Sequence, residues 1–205
     1  SIYRKLPYDP VRGFAPVTNI ALGGGLILCI NAASPIRSVK ELIAAARKPG
    51  APLTYGSAGI GNSTHLNAAL FNARAGTQMA HVPYKGAGQA IAALLGSEIN
   101  ILFTSTTSSM QYIKAGRLRA LAYNHSERLD ALPVVPALTE AGVRGTVMEG
   151  GSWYGVFAPP QTPHAIVARL QGEIAQAARE PAVREHFTTL GLEPDGRASE
   201  EFKAF

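Results

Sequence analysis

The chain has 205 residues, of which 46% are hydrophobic, 16% charged and 7% aromatic, with a formal net charge of +5. That composition excludes a disordered or fibrous chain and predicts one or two domains with a real core. It contains no apolar run of the about 18 residues that cross a bilayer, so no direct membrane insertion is expected. Its basic residues are scattered and never form a run, which argues against nucleic acid as a partner, whereas a mild positive field favours small anions.

Residues 1 to 20 read as loop, punctuated by Pro7, Pro10, Gly13 and Pro16. Leu26 to Ile30 is a short apolar run, read as a buried strand, and its single cysteine, Cys29, reads as a small buried hydrophobe. Ser38-Val39-Lys40-Glu41 is a capping box that opens a helix to about Lys48. Strand, loop and helix then repeat. Leu53 to Ser57 is a strand, followed by a helix from Asn62 to Ala75 with Leu66, Ala69, Leu70 and Ala73 inward, closed by Gly76. Met79 to Tyr84, Ile99 to Phe103 and Leu118 to Tyr123 are strands, separated by helices over Ala87 to Leu95 and Ser108 to Ala115. This alternation predicts an α/β fold with a mostly parallel sheet. A short helix is expected over Pro133 to Ala141, then an extended stretch from Val147 through Trp153 to Phe157. Thr162 as N-cap and Pro163 at the first position open a helix to about Arg179, with Ile166, Leu170, Ile174 and Ala177 inward. Pro181 begins another to Leu190, and Ser199 reads as an N-cap near the end of the chain.

In a parallel α/β sheet ligands bind beyond the carboxyl ends of the strands. The loops there carry Ser57, Gly59, Gly61, Asn62, Ser63, Thr64 and His65, then Lys85 and Gly86, then Thr104 to Ser109, then Asn124 and His125. Small donors dominate, and the amides opening the Asn62 helix add the positive end of its dipole, a seat for an anion. The same residue types also serve tight strand-to-helix turns with no ligand at all. Gly56 to Ser63 is a near miss to a phosphate-binding P-loop, because Asn62 stands where the lysine belongs. A dinucleotide fingerprint fails for want of its third glycine and a following acid. The nucleophile elbow of a hydrolase does not fit Ser57 or Ser63, since Tyr55 and His65 occupy its glycine positions. No metal-ligand spacing joins the five histidines, so neither a metal nor a cofactor is expected. His81, inside an apolar strand, reads as a hydrogen-bonded core or rim residue.

The segments YDPVRGFAPV, YGSAGIGNSTHLNAALF, HVPYKGAGQAIAALLGSEINILF, IKAGRLRALA, LPVVPALTEAG and WYGVFAPPQTP, in that order, resemble the Bug-type solute-binding receptors of the tripartite tricarboxylate transporter family. The resemblance spans nearly the whole chain. It implies a type II periplasmic-binding-protein-like Venus flytrap that holds a small organic carboxylate in its cleft and delivers it to the membrane subunits of the transporter. It implies a periplasmic location and no catalytic residue. It also implies a signal peptide and half of the first lobe ahead of this sequence and a closing helix after it, so the chain is expected to be truncated at both ends. Residues 31 to 150 would be a complete second lobe and residues 1 to 30 and 151 to 205 part of the first, with crossing segments near Ile30 and Trp153. The family's ligand loop falls on Ser57, Ala58, Gly59, Gly61, Ser63 and His65, the helix start already chosen on physical grounds. Where relatives often carry Asp-Asn this sequence has Thr104-Ser105, which disfavours a ligand ammonium and points to an organic acid. Two rival readings stand beside the receptor: an ester or acyl hydrolase using Ser63 and His65, and a ligand-sensing or interaction protein.

Overall fold

A computed structural model describes residues 6–50, 52–146 and 152–205. In chain order these form β1 (Ala15–Gly23), β2 (Leu26–Asn31), α1 (Val39–Ala46), β3 (Thr54–Ser57), α2 (Ser63–Ala75), β4 (Ala80–Pro83), α3 (Ala87–Leu95), β5 (Ile101–Thr104), α4 (Thr106–Lys114), β6 (Leu118–Asn124), β7 (Ser152–Ala158), α5 (His164–Ala177), α6 (Pro181–Thr189), β8 (Leu192–Pro194) and α7 (Ser199–Ala204). They gather into two compact units, Gly25–Glu149 and Ser1–Gly24 with Gly150–Phe205.

The first of these units is a five-stranded sheet in the order β4-β3-β5-β2-β6. β3 runs parallel to β4 and β5, but β2 runs antiparallel to β5 and β6. The sheet is therefore mixed, not mostly parallel. β1 leads into β2 with no helix between them, so no crossover imposes the parallel direction on it; a hydrophobic run records burial on both faces, not strand direction. β2 is interior to this sheet, so the division between the units falls at Gly24–Gly25 and not near Ile30. Alternating residues feed two cores. Leu28, Ile30, Tyr55, Ile101 and Phe103 meet α1 and α2 through Leu42, Ala68 and Phe71. Ile27, Cys29, Leu102, Leu118 and Tyr123 meet α3 through Ala90, Ile91 and Leu94. Cys29 is fully buried, and burial pushes its thiol up to about 12.

Ser38 caps α1 by accepting from the Glu41 amide, while the Glu41 carboxylate reaches Arg37 N–H instead of closing the box on Ser38. α2 departs further from its reading. Its buried residues are Thr64, Asn67, Ala68, Phe71 and Ala75, and Leu66 is exposed. Thr64 and Asn67 face inward because loop and strand partners meet their polar groups there, a burial that apolar periodicity does not register. The helix expected over Pro133 to Ala141 is absent from the described residues. Instead Tyr123 N–H donates to Pro136 O and Leu138 N–H to Tyr123 O, so this backbone is already paired along β6.

The second unit is built on the antiparallel sheet β7-β1-β8. Val17 and Ala158 pack with Val167 of α5. Ile166 and Leu170, expected inward, are exposed, as is Ala177; Val167 and Ala178 are buried instead. Pro163, not Thr162, occupies the N-cap position of α5, and α7 starts at Ser199 itself, whose hydroxyl donates to Val17 O at 2.6 Å. Of the extended stretch expected from Val147, residues 147–151 lie outside the described residues and the rest is β7.

Candidate functional site

The pairing registers send the carboxyl ends of β3, β4, β5 and β6 to one edge of the five-stranded sheet, together with the amino end of β2. The loop over residues 57–65 stands on this edge. Gly59 and Gly61 have φ of 134° and 77°, backbone that other residues rarely adopt, and they fold the loop back on itself. Its own groups then hold it. Ala58 N–H donates to Thr64 Oγ1 at 2.9 Å, Gly59 N–H to Ser57 Oγ at 3.2 Å and Asn62 N–H to Gly59 O at 3.2 Å. Gly61 N–H donates to His65 Nδ1 at 3.1 Å, which fixes the proton of neutral His65 on Nε2. Asn62 caps α2, its Oδ1 accepting from Thr64 N–H and Thr64 Oγ1, both at 3.0 Å.

Because the loop uses these amides itself, the outward donors are fewer than its composition implies. At the start of α2 the backbone N–H groups of Ser63 and His65 and the His65 Nε2–H have no partner among the described residues, and the exposed Ser63 hydroxyl makes one long bond, to Asn62 Oδ1 at 3.4 Å. All lie in the first turn of α2, where the helix dipole favours an anion. Ser57 and Thr64 are buried and shape the loop from beneath.

Two residues outside the sequence-derived set complete the site. The β3–β4 register sets Tyr55 beside His81, and their rings stack at 4.9 Å between centroids. The His81 ring also stacks on His65 at 4.1 Å, and its Nε2 lies 2.7 Å from Ser57 Oγ. Burial, then the charge of His65, hold His81 below the usual histidine range; burial pushes Tyr55 up. The expectation of a hydrogen-bonded rim residue holds for His81, but its histidine partner comes from α2, and only strand register brings the two together.

Thr104 and Ser105 stand at the end of the neighbouring β5. Thr104 is 1% exposed, and its hydroxyl has no partner among the described residues. Ser105 is the N-cap of α4, with its Oγ accepting from Ser108 N–H and bonded to the Thr107 and Ser108 hydroxyls. Asn124, at the end of β6, donates to Asn67 Oδ1 and Thr146 O. Ser63 and His65, the pair a hydrolase would need, are not bonded to each other: Ser63 Oγ points to Asn62 Oδ1 and His65 Nδ1 to Gly61. Among the described residues no group of three or more histidine, cysteine or acidic side chains is placed to hold a metal.

The model of the tripartite tricarboxylate transporter family receptor matches residues 1–205. The chain belongs to this receptor family. A UPF0065 protein encoded in the tcbD-tcbE intergenic region of a Pseudomonas species is 39% identical over 199 residues, 97% of this chain and 58% of that protein. BugT of Bordetella pertussis is 30% identical over 194 residues, covering 95% of this chain and 59% of BugT. The chain thus spans about three fifths of the length of these curated relatives. Among solved structures, an R. palustris protein with adipate superposes with a TM-score of 0.90 at 30% identity, over 98% of this chain and 67% of that one. The periplasmic binding protein BugD gives 0.90 at 27% identity, over 98% and 67%. MatC from Rhodopseudomonas palustris, with bound malate, gives 0.88 at 27% identity, over 98% and 69%. Receptor membership and the periplasmic-binding-protein fold agree with the resemblance drawn from the sequence motifs. No helix among the described residues is long and apolar enough to cross a membrane.

Proposed function

We propose that this receptor captures a small organic carboxylate outside the cytoplasm, in the periplasm, and passes it to the membrane subunits of a tripartite tricarboxylate-type transporter without chemical change. The observation that carries this reading is the first turn of α2, which holds two unpaired backbone amides, the exposed Ser63 hydroxyl and the His65 ring with no acidic side chain in the loop. Donors without a counter-acid suit a carboxylate and offer nothing to an ammonium. The ligands of two solved relatives, adipate and malate, are both dicarboxylates. The seat is assigned to Ser57, Ala58, Gly59, Gly61, Asn62, Ser63, Thr64 and His65. Thr104 and Ser105 enter as the adjoining part of the edge, through the start of α4, since the hydroxyl of one is buried and that of the other caps its helix. The unit Gly25–Glu149 is proposed as one complete lobe, and the remaining residues as part of the other.

Titration calorimetry with adipate, malate, aspartate and glutamate tests the reading. Binding of the dicarboxylates with little or none of the amino acids is expected, and the reverse preference overturns the assignment of ligand class. A chromogenic ester panel tests the absence of catalysis. Turnover that disappears in Ser63→Ala would replace the receptor by a hydrolase.

A further inference from the structure

Among the described residues of the unit Gly25–Glu149, the large hydrophobic side chains left exposed are Ile60, Leu66 and Val134. Single apolar residues on a surface are ordinary. Two within seven positions, flanking the unpaired donors at the start of α2, are not scattered, and the local fold calls for neither. Asn62 N–H donates to Gly59 O at 3.2 Å and Gly61 has a φ of 77°, the pattern of a type II turn with Ile60 at its outer corner. That corner demands no apolar side chain, yet an isoleucine stands there 60% exposed, in a turn held by the bond from Gly61 N–H to His65 Nδ1. Leu66 is 40% exposed, and its N–H donates to Asn62 O at 3.0 Å, one turn past the cap. The buried side of the helix is already filled by Thr64, Asn67, Ala68 and Phe71. Residues three apart on a helix are neighbours and side chains lean towards the amino end, so Leu66 covers the turn that carries the Ser63 N–H and hydroxyl. Along the chain, the donors are bracketed by apolar carbon from the loop before them and from the helix after them.

We propose that Ile60 and Leu66 determine specificity at this seat: they lie against the carbon chain of the bound acid and select ligands whose carbons next to the carboxylate are methylenes over those that carry a hydroxyl. This rests on the reading of the first turn of α2 as a carboxylate seat. The carboxylate takes the amides, the Ser63 hydroxyl and the His65 Nε2–H, which leaves the carbons beside it facing the two apolar side chains. A methylene fully covered there gains about fourfold in affinity through its loss of contact with water. A ligand hydroxyl pressed against the same surface gives up its hydration and finds no partner in return, so it weakens binding. Acids with an adipate-like chain are therefore the better ligands, and hydroxy acids such as malate the poorer ones.

Titration calorimetry with succinate, glutarate and adipate, each longer than the last by one methylene, and with malate, which is succinate bearing a hydroxyl, reads both effects. Affinity is expected to climb about two- to fourfold per methylene, and succinate to exceed malate by about three- to tenfold. Ile60→Thr and Leu66→Gln put polar atoms at the same exposed positions, and unchanged melting temperatures check that the fold is kept. In each variant the climb with chain length is expected to flatten and the gap between succinate and malate to narrow, with adipate losing about three- to tenfold in affinity. Intermolecular nuclear Overhauser effects from the adipate methylenes to the Ile60 and Leu66 methyl groups are expected in the unaltered protein, a contact that a structural role for either residue would not produce. If the diacids bind but the climb and the gap are the same in both variants, or the methyl groups show no such contact, the specificity assignment is overturned and the carboxylate seat stands. If none of the four acids binds the unaltered protein, the seat itself fails and the assignment falls with it.

Discussion

Gly25 and Asn124 approach so closely that a Cβ on Gly25 would lie 1.9 Å from the Asn124 carbonyl oxygen. The contact joins the start of β2 to the end of β6 at the edge that carries the ligand loop. Asn124 is 4% exposed, and its side-chain amide spans Asn67 of α2 and the Thr146 carbonyl. Gly25→Ala must therefore displace a backbone whose side chain ties β6 to α2. Overpacking of this kind costs about 1–3 kcal/mol. Thermal unfolding is expected to show a fall of roughly 2–4 °C per kcal/mol for a chain of this size. An unchanged melting temperature would mean that the edge is softer than the contact implies.

Asn62 separates stability from binding. Asn62→Ala removes the cap of α2 and both bonds to Thr64, and is expected to cost about 1 kcal/mol in denaturant unfolding. Asn62→Asp keeps the cap and adds a negative charge favoured by the helix dipole, so stability is retained or slightly raised. That charge stands beside the proposed seat. Adipate binding is expected to weaken in Asn62→Asp although the protein remains folded, and equal affinity would move the seat away from this helix start.

Thr104→Val tests the orphaned hydroxyl at the end of β5. A buried hydroxyl without a partner forfeits its hydration, and an isosteric methyl removes that loss. The variant is expected to gain about 1 kcal/mol in denaturant unfolding with no change in adipate affinity. A loss of affinity would place this hydroxyl in contact with ligand.

The depressed titration of His81 also affects folding. An unfolded histidine takes up its proton near pH 6.5, whereas the folded one does so at a lower pH. Between those two values the unfolded chain binds more protons, so stability falls with acidification through this window and is flat above it. In His81→Gln this part of the pH dependence is expected to vanish, as read from urea midpoints between about pH 7.5 and about pH 5. A slope unchanged in the variant would assign the acid sensitivity to another group.

Local rules carried much of this fold. Ser38 and Asn62 lie at helix starts because short polar side chains satisfy amides left unpaired there, and Gly76 ends α2 where the chain turns left-handed; α4, read as starting at Ser108, starts at Thr106 with Ser105 as its cap. The two turns of α2 that misread its face show where such rules stop: Thr64 and Asn67 are inward because Ala58, Ser63 and Asn124 meet them, and two of those partners lie outside the helix. The motif of residues 57–65 located the loop and the nearby helix dipole, both of which depend on contiguous residues. Tertiary structure decided the rest. β2 runs antiparallel because a hydrophobic run has no intrinsic direction, and residues 136–138 pair with β6 because unpaired backbone finds the nearest open strand edge. His81 reached Ser57 and His65 because parallel register aligns Tyr55 with His81 and α2 packs above them, a juxtaposition across 24 residues from Ser57 that no local spacing encodes.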